Sequence, residues 1–302
     1  MAITRALVLR HATAKRESYE FGLLDVAQDH ALRILELGGF FSSGDVVFKG
    51  GTSLRKCRLG SAGRFSTDID LAVPSDDVVV AICGALDQQT ISGFHFSVRD
   101  AGAKDGRKWF LDVAHPDLGS VTTRSVLEFA RRRPACAPEQ LAPVRLPIHA
   151  QYDFKLGALP VMAAVEACAE KLARYRRSPP LARDLYDLAW FASQALDEKL
   201  LRRLWVLKVY GDVVEDGRGS KPLVAGELSN ERDLRAFDAG DIGALTQPID
   251  LPGWEAKVRK RFAFLAAMDD DEKRFALCNA RELAEVHLLL ESGGFPTVAN
   301  SK

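Results

Sequence analysis

Residues 46–73 read VVFKGGTSLRKCRLGSAGRFSTDIDLAV, and the order of parts in that stretch decides the fold. A short hydrophobic run, Val46-Val47-Phe48, enters Gly50-Gly51-Thr52-Ser53, and a second run carries Asp68-Ile69-Asp70-Leu71. Strand side chains alternate between faces, so Asp68 and Asp70 share one face while Ile69 and Leu71 turn the other way into a core. Two carboxylates about 4 Å apart repel by about 4 kcal/mol at an effective dielectric of roughly 20, a cost that a divalent cation converts into attraction. The pair therefore predicts a Mg²⁺ (or Mn²⁺) site.

The segment between the two runs reads as phosphate chemistry. Gly50 and Gly51 lack side chains, which lets the backbone approach a triphosphate, and the hydroxyl of Thr52 or Ser53 can donate to a phosphate oxygen. Residues 52–59 suit a helical turn whose free N–H groups face the carboxylates' space. Ser66, just before the acidic strand, is a further candidate phosphate contact.

Outward from this stretch the pattern is mixed. Leu23, Leu24, Ala27, Ala31, Ile34 and Leu35 follow the spacing of an amphipathic helix over residues 20–37, which Gly38-Gly39 ends. Residues 78–86 suit another helix. Residues 94–98 and 108–113 read as two strands joined by a turn at 102–106, and Asp112 places a third acid near the end of a hydrophobic run. Residues 46–113 thus form a small mixed sheet with helices, an α+β core. Residues 115–160 carry six prolines and read as connecting strands and loops. From Val161 the texture is helical: residues 161–177, then 184–196 after Pro179-Pro180, then 197–210 and 254–291. The expected division is the α+β core with its N-terminal helix over 1–158 and a helical domain over 159–302.

Bulk composition excludes little. A chain of 302 residues, 47% hydrophobic and 27% charged, is ordinary for a globular protein. Lys+Arg and Asp+Glu each total 41, so any nucleic-acid surface must be a local patch. The candidates are Arg131-Arg132-Arg133 and the acid-free basic set Lys171, Arg174, Arg176, Arg177 and Arg183, with a weaker run at Lys257, Arg259, Lys260 and Arg261. Cys57, Cys83, Cys136, Cys168 and Cys278 have no metal or disulfide spacing and read as reduced. Neither an export signal nor a membrane span is indicated, so the cytoplasm is the expected compartment.

The motif Lys49-Gly50-Gly51-Thr52-Ser53-Leu54 followed by Arg64-Phe65-Ser66-Thr67-Asp68-Ile69-Asp70-Leu71 resembles the DNA polymerase β-like nucleotidyltransferases. More closely, it resembles the AbiEii-type toxins, which include the mycobacterial MenT toxins. A second block, Glu170-Lys171-Leu172-Ala173-Arg174 and Ala182-Arg183-Asp184-Leu185-Tyr186-Asp187-Leu188, is similar to that family's helical motif. The resemblance implies a metal-dependent transfer of NMP from an NTP to a tRNA 3′ end that blocks translation, with a separate antitoxin protein as partner. It also implies that Lys171 meets the nucleotide phosphates and that Asp184 holds it, with Asp187 competing for that role. Asp112 would be the third carboxylate of the metal cluster. The same core could instead serve transfer to a small molecule or a protein, or a catalytically silent nucleotide-binding module.

Overall fold

In the computed structural model, which describes residues 3–13, 18–103, 106–130, 132–216, 221–224 and 226–291, Lys49 lies opposite Asp70 in a pair of antiparallel strands, β1 (Val47–Lys49) and β2 (Asp68–Ala72). The chain divides into two units. The first comprises Met1–Arg133, Pro138–Val161 and Ala244–Gln247; the second comprises Pro134–Ala137, Met162–Gly243 and Pro248–Lys302.

The first unit is built on an eight-stranded mixed sheet. Its further strands are β3 (Thr90–Ile91), β4 (Phe94–Asp100), β5 (Lys108–His115), β6 (Gly119–Ala130), β7 (Glu139–Leu141) and β8 (Leu159–Val161), in the order β3-β4-β5-β6-β2-β1-β8-β7. β2 runs parallel to β6 and β1 parallel to β8; the other pairs are antiparallel. The sheet is larger than the hairpin reading predicts. Most of the difference is β6, a central strand inside the proline-containing stretch expected to be connecting strands and loops. Its Leu127 and Phe129 alternate into the core while Val126 and Glu128 face away, a strand pattern that the surrounding prolines do not interrupt.

One face of this sheet is dry. Ile69, Leu71, Phe94, Phe96, Leu111, Val113, Leu127 and Phe129 join one buried cluster with α2 (Tyr19–Leu37) and α4 (Asp76–Leu86). Each such side chain contributes on the order of 1.5–3 kcal/mol of burial. The N-terminal helix α1 (Arg5–His11) packs on α2.

α2 departs from the simple amphipathic reading, because Asp25, Gln28, Asp29 and His30 are as buried as its Leu23, Leu24, Leu32 and Leu35. Ionised carboxylates are tolerated there only with partners. The Asp25 carboxylate accepts from Arg55 Nε at 2.9 Å, Lys56 Nζ at 3.1 Å and His11 Nε2 at 2.7 Å. Asp29 meets Lys56 Nζ at 2.7 Å, and Tyr152 donates its hydroxyl at 2.7 Å. Arg55 and Lys56 belong to a π-helical turn, Arg55–Leu59, that continues α3 (Gly50–Leu54). The charge cluster therefore fastens the glycine turn to the long helix.

The second unit is helical: α5 (Ala164–Tyr175), α6 (Ala182–Phe191), α7 (Glu198–Val214), α8 (Leu251–Arg261), α9 (Asp270–Ala276) and α10 (Leu283–Glu291). The segment 254–291, expected to be helical, holds most of α8 together with α9 and α10. Leu185, Leu188, Phe191, Leu204, Trp205 and Tyr210 are its nearly solvent-free core. Inside it, Glu166 accepts from the backbone N–H groups of Ala135 and Cys136 at 2.9 Å each and from Lys208 Nζ at 2.5 Å. The five cysteines are free, as expected for reduced thiols. Burial pushes the Cys57 and Cys83 thiols up to about 12. No described helix is long and apolar enough to cross a membrane.

The cluster predicts an acid-labile first unit. Burial alone would raise the Asp25 and Asp29 carboxyls, but Lys56, with Arg55 at Asp25, outweighs it. Asp25 is held well below the usual carboxylate range and Asp29 at about 2. Both values lie below those of the unfolded chain, so the stabilisation is fully present above about pH 4 and is lost as pH falls towards 2. Asp25→Asn, which leaves Arg55 and Lys56 short of a buried counter-charge, should cost about 3–5 kcal/mol by urea unfolding at pH 7. It should also flatten the fall in Tm between pH 4 and 2. An unchanged Tm–pH curve would show that the cluster does not set acid stability.

Candidate active site

The two strands that carry the candidate residues are adjacent, and their register builds the site. Asp68 and Asp70 are half-buried on the open face of β2, while Ile69 between them is sealed in the core. Gly50 has φ +75°, a left-handed backbone that a β-carbon disfavours, and a β-carbon there would overlap the Asp70 carboxylate. The glycine is thus required twice, by its turn and by the carboxylate resting on it. A β-carbon on Gly51 would collide with the Arg64 guanidinium and come within 3.1 Å of Ser66 Oγ. Arg64 is buried, so a cation and a hydroxyl stand directly over the glycine turn.

The entry to β2 is held from behind. Gln28 of α2 donates to the Ser66 carbonyl at 3.1 Å, Ser125 donates to the Thr67 carbonyl at 2.7 Å, and Thr67 Oγ1 donates to Asp68 Oδ1 at 3.0 Å. The hydroxyls expected to meet phosphate are used differently. Thr52, fully buried, donates to the Asp68 carbonyl, and Ser53 donates to the Gly50 carbonyl at 2.9 Å. Both hydroxyls brace the turn; its backbone and Ser66 are the groups left to face a phosphate.

Asp112 is not brought to the carboxylate pair. On the open face, Asp68 aligns with Val126 of β6 and then with Phe110 of β5, so Asp112 lies two strands across and one same-face position further along, roughly 10 Å or more away. It is also engaged: Arg99 Nε donates to Oδ2 at 2.7 Å and Arg124 Nε to Oδ1 at 2.6 Å. Against a small opposing effect of burial, these arginines hold the Asp112 carboxyl below its ordinary value. The acid that β6 sets beside Asp70 is Glu128, which sequence reasoning missed because β6 itself was not recognised. Lys49, Asp70, Glu128 and Lys108 form one row across four strands, and Glu128 is paired with Lys108 at 3.2 Å.

The donor set therefore suits a hard divalent cation modestly. Among the described residues no group of three His, Cys, Asp or Glu side chains could hold a metal ion. Two half-exposed carboxylates completed by substrate oxygens are, however, how Mg²⁺ is usually held in phosphate sites.

In the second unit, Lys171 is buried and its ammonium lies 2.8 Å from Asp184 Oδ1 and 2.7 Å from Asp187 Oδ2. Both candidate acids hold it, one turn apart on α6. Arg174 also reaches Asp184, at 3.3 Å. The basic set around Lys171 is not an open patch: Arg176 is paired with Glu227, and Arg177 with Asp212 at 2.5 Å. The acids that pair with these arginines, Asp184, Asp212 and Glu227, come from later in the chain, so a charge count over 171–183 overstates the free positive charge there. Arg261 and Arg259 are likewise paired, with Glu198 and Glu255. Of the 131–133 run, Arg131 lies outside the described residues, and Arg133 is exposed, 4.0 Å from Asp45.

Residues 37–278 match the family described as nucleotidyl transferase AbiEii toxin, type IV toxin–antitoxin system. Among solved structures, MenT4, a nucleotidyltransferase toxin from Mycobacterium tuberculosis H37Rv, is 52% identical with a TM-score of 0.90, over 97% of this chain and 99% of that one. A nucleotidyltransferase candidate from H. pylori is 18% identical with a TM-score of 0.42, over 79% of this chain and 95% of that one. No curated protein matches the chain.

Two substitutions test the geometry by stability alone. Gly50→Ala should lower the unfolding free energy by more than about 1 kcal/mol, because it adds left-handed strain to a clash with Asp70. Lys171→Met removes the ammonium from between two buried carboxylates and should cost about 3–5 kcal/mol, whereas Lys171→Arg should cost less. Equal urea midpoints for Lys171→Met and wild type would mean that the buried pair is not formed.

Proposed function

The chain belongs to the AbiEii family of nucleotidyltransferase toxins, and from that premise we propose that it transfers the nucleoside monophosphate of an NTP to the 3′ end of tRNA, releasing pyrophosphate. It is a nucleotidyltransferase of the AbiEii/MenT type; the family generally uses an NTP and a divalent metal, and a toxin of this class implies an antitoxin partner. The observation that carries the proposal is the pair Asp68 and Asp70 on one face of β2, with Asp70 resting on the glycine turn at Gly50.

In this reading Asp68 and Asp70 hold the cation, which is Mg²⁺ or Mn²⁺. When bound, such an ion lowers the pKa of the attacking hydroxyl and offsets charge on the leaving pyrophosphate. Gly50 and Gly51 leave room for the triphosphate to approach the backbone. Ser66 and Arg64, which stand over Gly51, supply a hydroxyl and a fixed cation to phosphate oxygens, so that positioning and charge neutralisation do most of the chemistry. The family resemblance implies Lys171 as a further cation for the phosphates; within the second unit, Asp184 and Asp187 hold its ammonium. No covalent enzyme nucleophile is required.

The test is incubation with α-labelled NTPs and, separately, total tRNA, a protein lysate and an aminoglycoside panel. The proposal expects label on tRNA 3′ ends, lost with EDTA and reduced at least about 100-fold in Asp68→Asn and Asp70→Asn. Expression of the wild type without antitoxin should arrest growth, and expression of either variant should not. Label on protein or on the small molecules but absent from RNA would overturn the acceptor; no label anywhere would overturn the transfer.

A further inference from the structure

On the open face of the sheet, Phe110 and Arg99 continue the row of Asp68, and Asp112 and Arg124 stand in the next row, a group that the chemistry above does not use. Arg99 and Arg124 share the carboxylate of Asp112, one on each oxygen, at 2.7 and 2.6 Å through their Nε atoms. Their guanidinium carbons lie 4.9 and 4.6 Å from the centroid of the Phe110 ring. Each arginine is about half exposed, 50% and 48%, and among the described residues the Nη groups of neither have a protein partner.

A surface arginine is ordinarily a mobile chain that loses rotamer freedom when it binds. Here Asp112 fixes the Nε edge and Phe110 supports the planes, so two forks of N–H donors are presented with much of that ordering already done. Such forks match phosphate oxygens in a bidentate manner, and guanidinium planes stacked on an aromatic ring are also platforms for unstacked bases. Phe110 aligns with Val126, which aligns with Asp68, so the ring over which both guanidinium groups lie stands about 10 Å across the sheet from the carboxylate. That is about three nucleotides at the ~3.4 Å charge spacing of a stacked strand.

We propose that Arg99 and Arg124, braced by Asp112 and Phe110, bind the phosphodiester backbone of the single-stranded 3′ segment of the RNA acceptor, just upstream of the hydroxyl presented at Asp68. This rests on the reading of RNA as acceptor. Asp112 is then a positioning residue for the acceptor, not a metal ligand. The surface replaces the basic run at 171–183, of which Arg174, Arg176 and Arg177 are paired within their own unit.

The experiment measures full-length protein in two ways: anisotropy of a 5′-labelled single-stranded RNA ending in a 3′ hydroxyl, at several salt concentrations, and steady-state transfer to tRNA. Arg99→Ala and Arg124→Ala should each weaken RNA binding about tenfold and raise the KM for RNA similarly, with the KM for the NTP unmoved. The slope of log Kd against log salt should fall by about 0.7 for each. Arg99→Lys and Arg124→Lys, which keep the charge but lose the fork, should recover less than half of that loss on a logarithmic scale. Asp112→Ala should raise the KM for RNA while leaving metal-dependent NTP binding intact. Arg235→Ala removes an exposed arginine that is paired only locally with Asp233, and it should change nothing. The proposal is overturned if Arg99→Ala and Arg124→Ala bind RNA as wild type does, or if Asp112→Ala loses metal-dependent NTP binding with RNA affinity intact. RNA binding that depends on the two arginines, in a wild type that labels no RNA, would uphold the platform and reject the acceptor reading.

Discussion

The carboxylate of Asp70 rests on the α-carbon of Gly50, and the candidate site depends on that contact. It requires a residue without a side chain at a left-handed backbone position, and it requires β1 and β2 to pair with Lys49 opposite Asp70. A shift of one residue in that register would turn Asp68 and Asp70 into the core and bring Ile69 and Leu71 to the surface. The hydrophobic face therefore enforces the chemical one: Ile69 and Leu71 are completely buried, and their burial holds the acids on the open side.

The turn that carries Gly50 is stabilised at a distance. Helix α3 and its π-helical continuation present Arg55 and Lys56 to Asp25 and Asp29 on α2, and those four charges, which His11 and the half-buried Tyr152 also contact, are nearly sealed from water. Removing one member of such a group leaves the others uncompensated, which makes the cluster a stringent fastener rather than a large net source of stability. The second unit repeats the device on a smaller scale, with Lys171 between Asp184 and Asp187.

What could be read from the sequence was local. The alternation in Asp68-Ile69-Asp70-Leu71, the paired glycines after a hydrophobic run and the helical spacing of 20–37 each depend on neighbours a few residues apart, and each corresponds to β2, to the Gly50 turn and to α2. The mixed α+β class followed from those parts. What could not be read depended on partners far along the chain. The apolar spacing of residues 20–37 does not reveal that Asp25 and Asp29 are buried, because Arg55 lies 30 residues and Tyr152 123 residues away from the carboxylates they meet. β6 was hidden by the prolines that follow it, and with it went Glu128 and the alignment of Arg124 with Asp112. Counting the charges of residues 171–183 could not reveal Asp212 and Glu227, which neutralise that run from later in the chain.

The central claim is that Asp68 and Asp70 form a cation-dependent nucleotide site, and calorimetric titration of NTP into the full-length protein tests it most directly. The account predicts saturable NTP binding in Mg²⁺ or Mn²⁺ that disappears in EDTA and in the Asp68→Asn, Asp70→Asn double variant, with the variant's Tm at pH 7 within a few degrees of wild type. Binding of equal affinity in EDTA, or in the double variant with Mg²⁺ present, would contradict it.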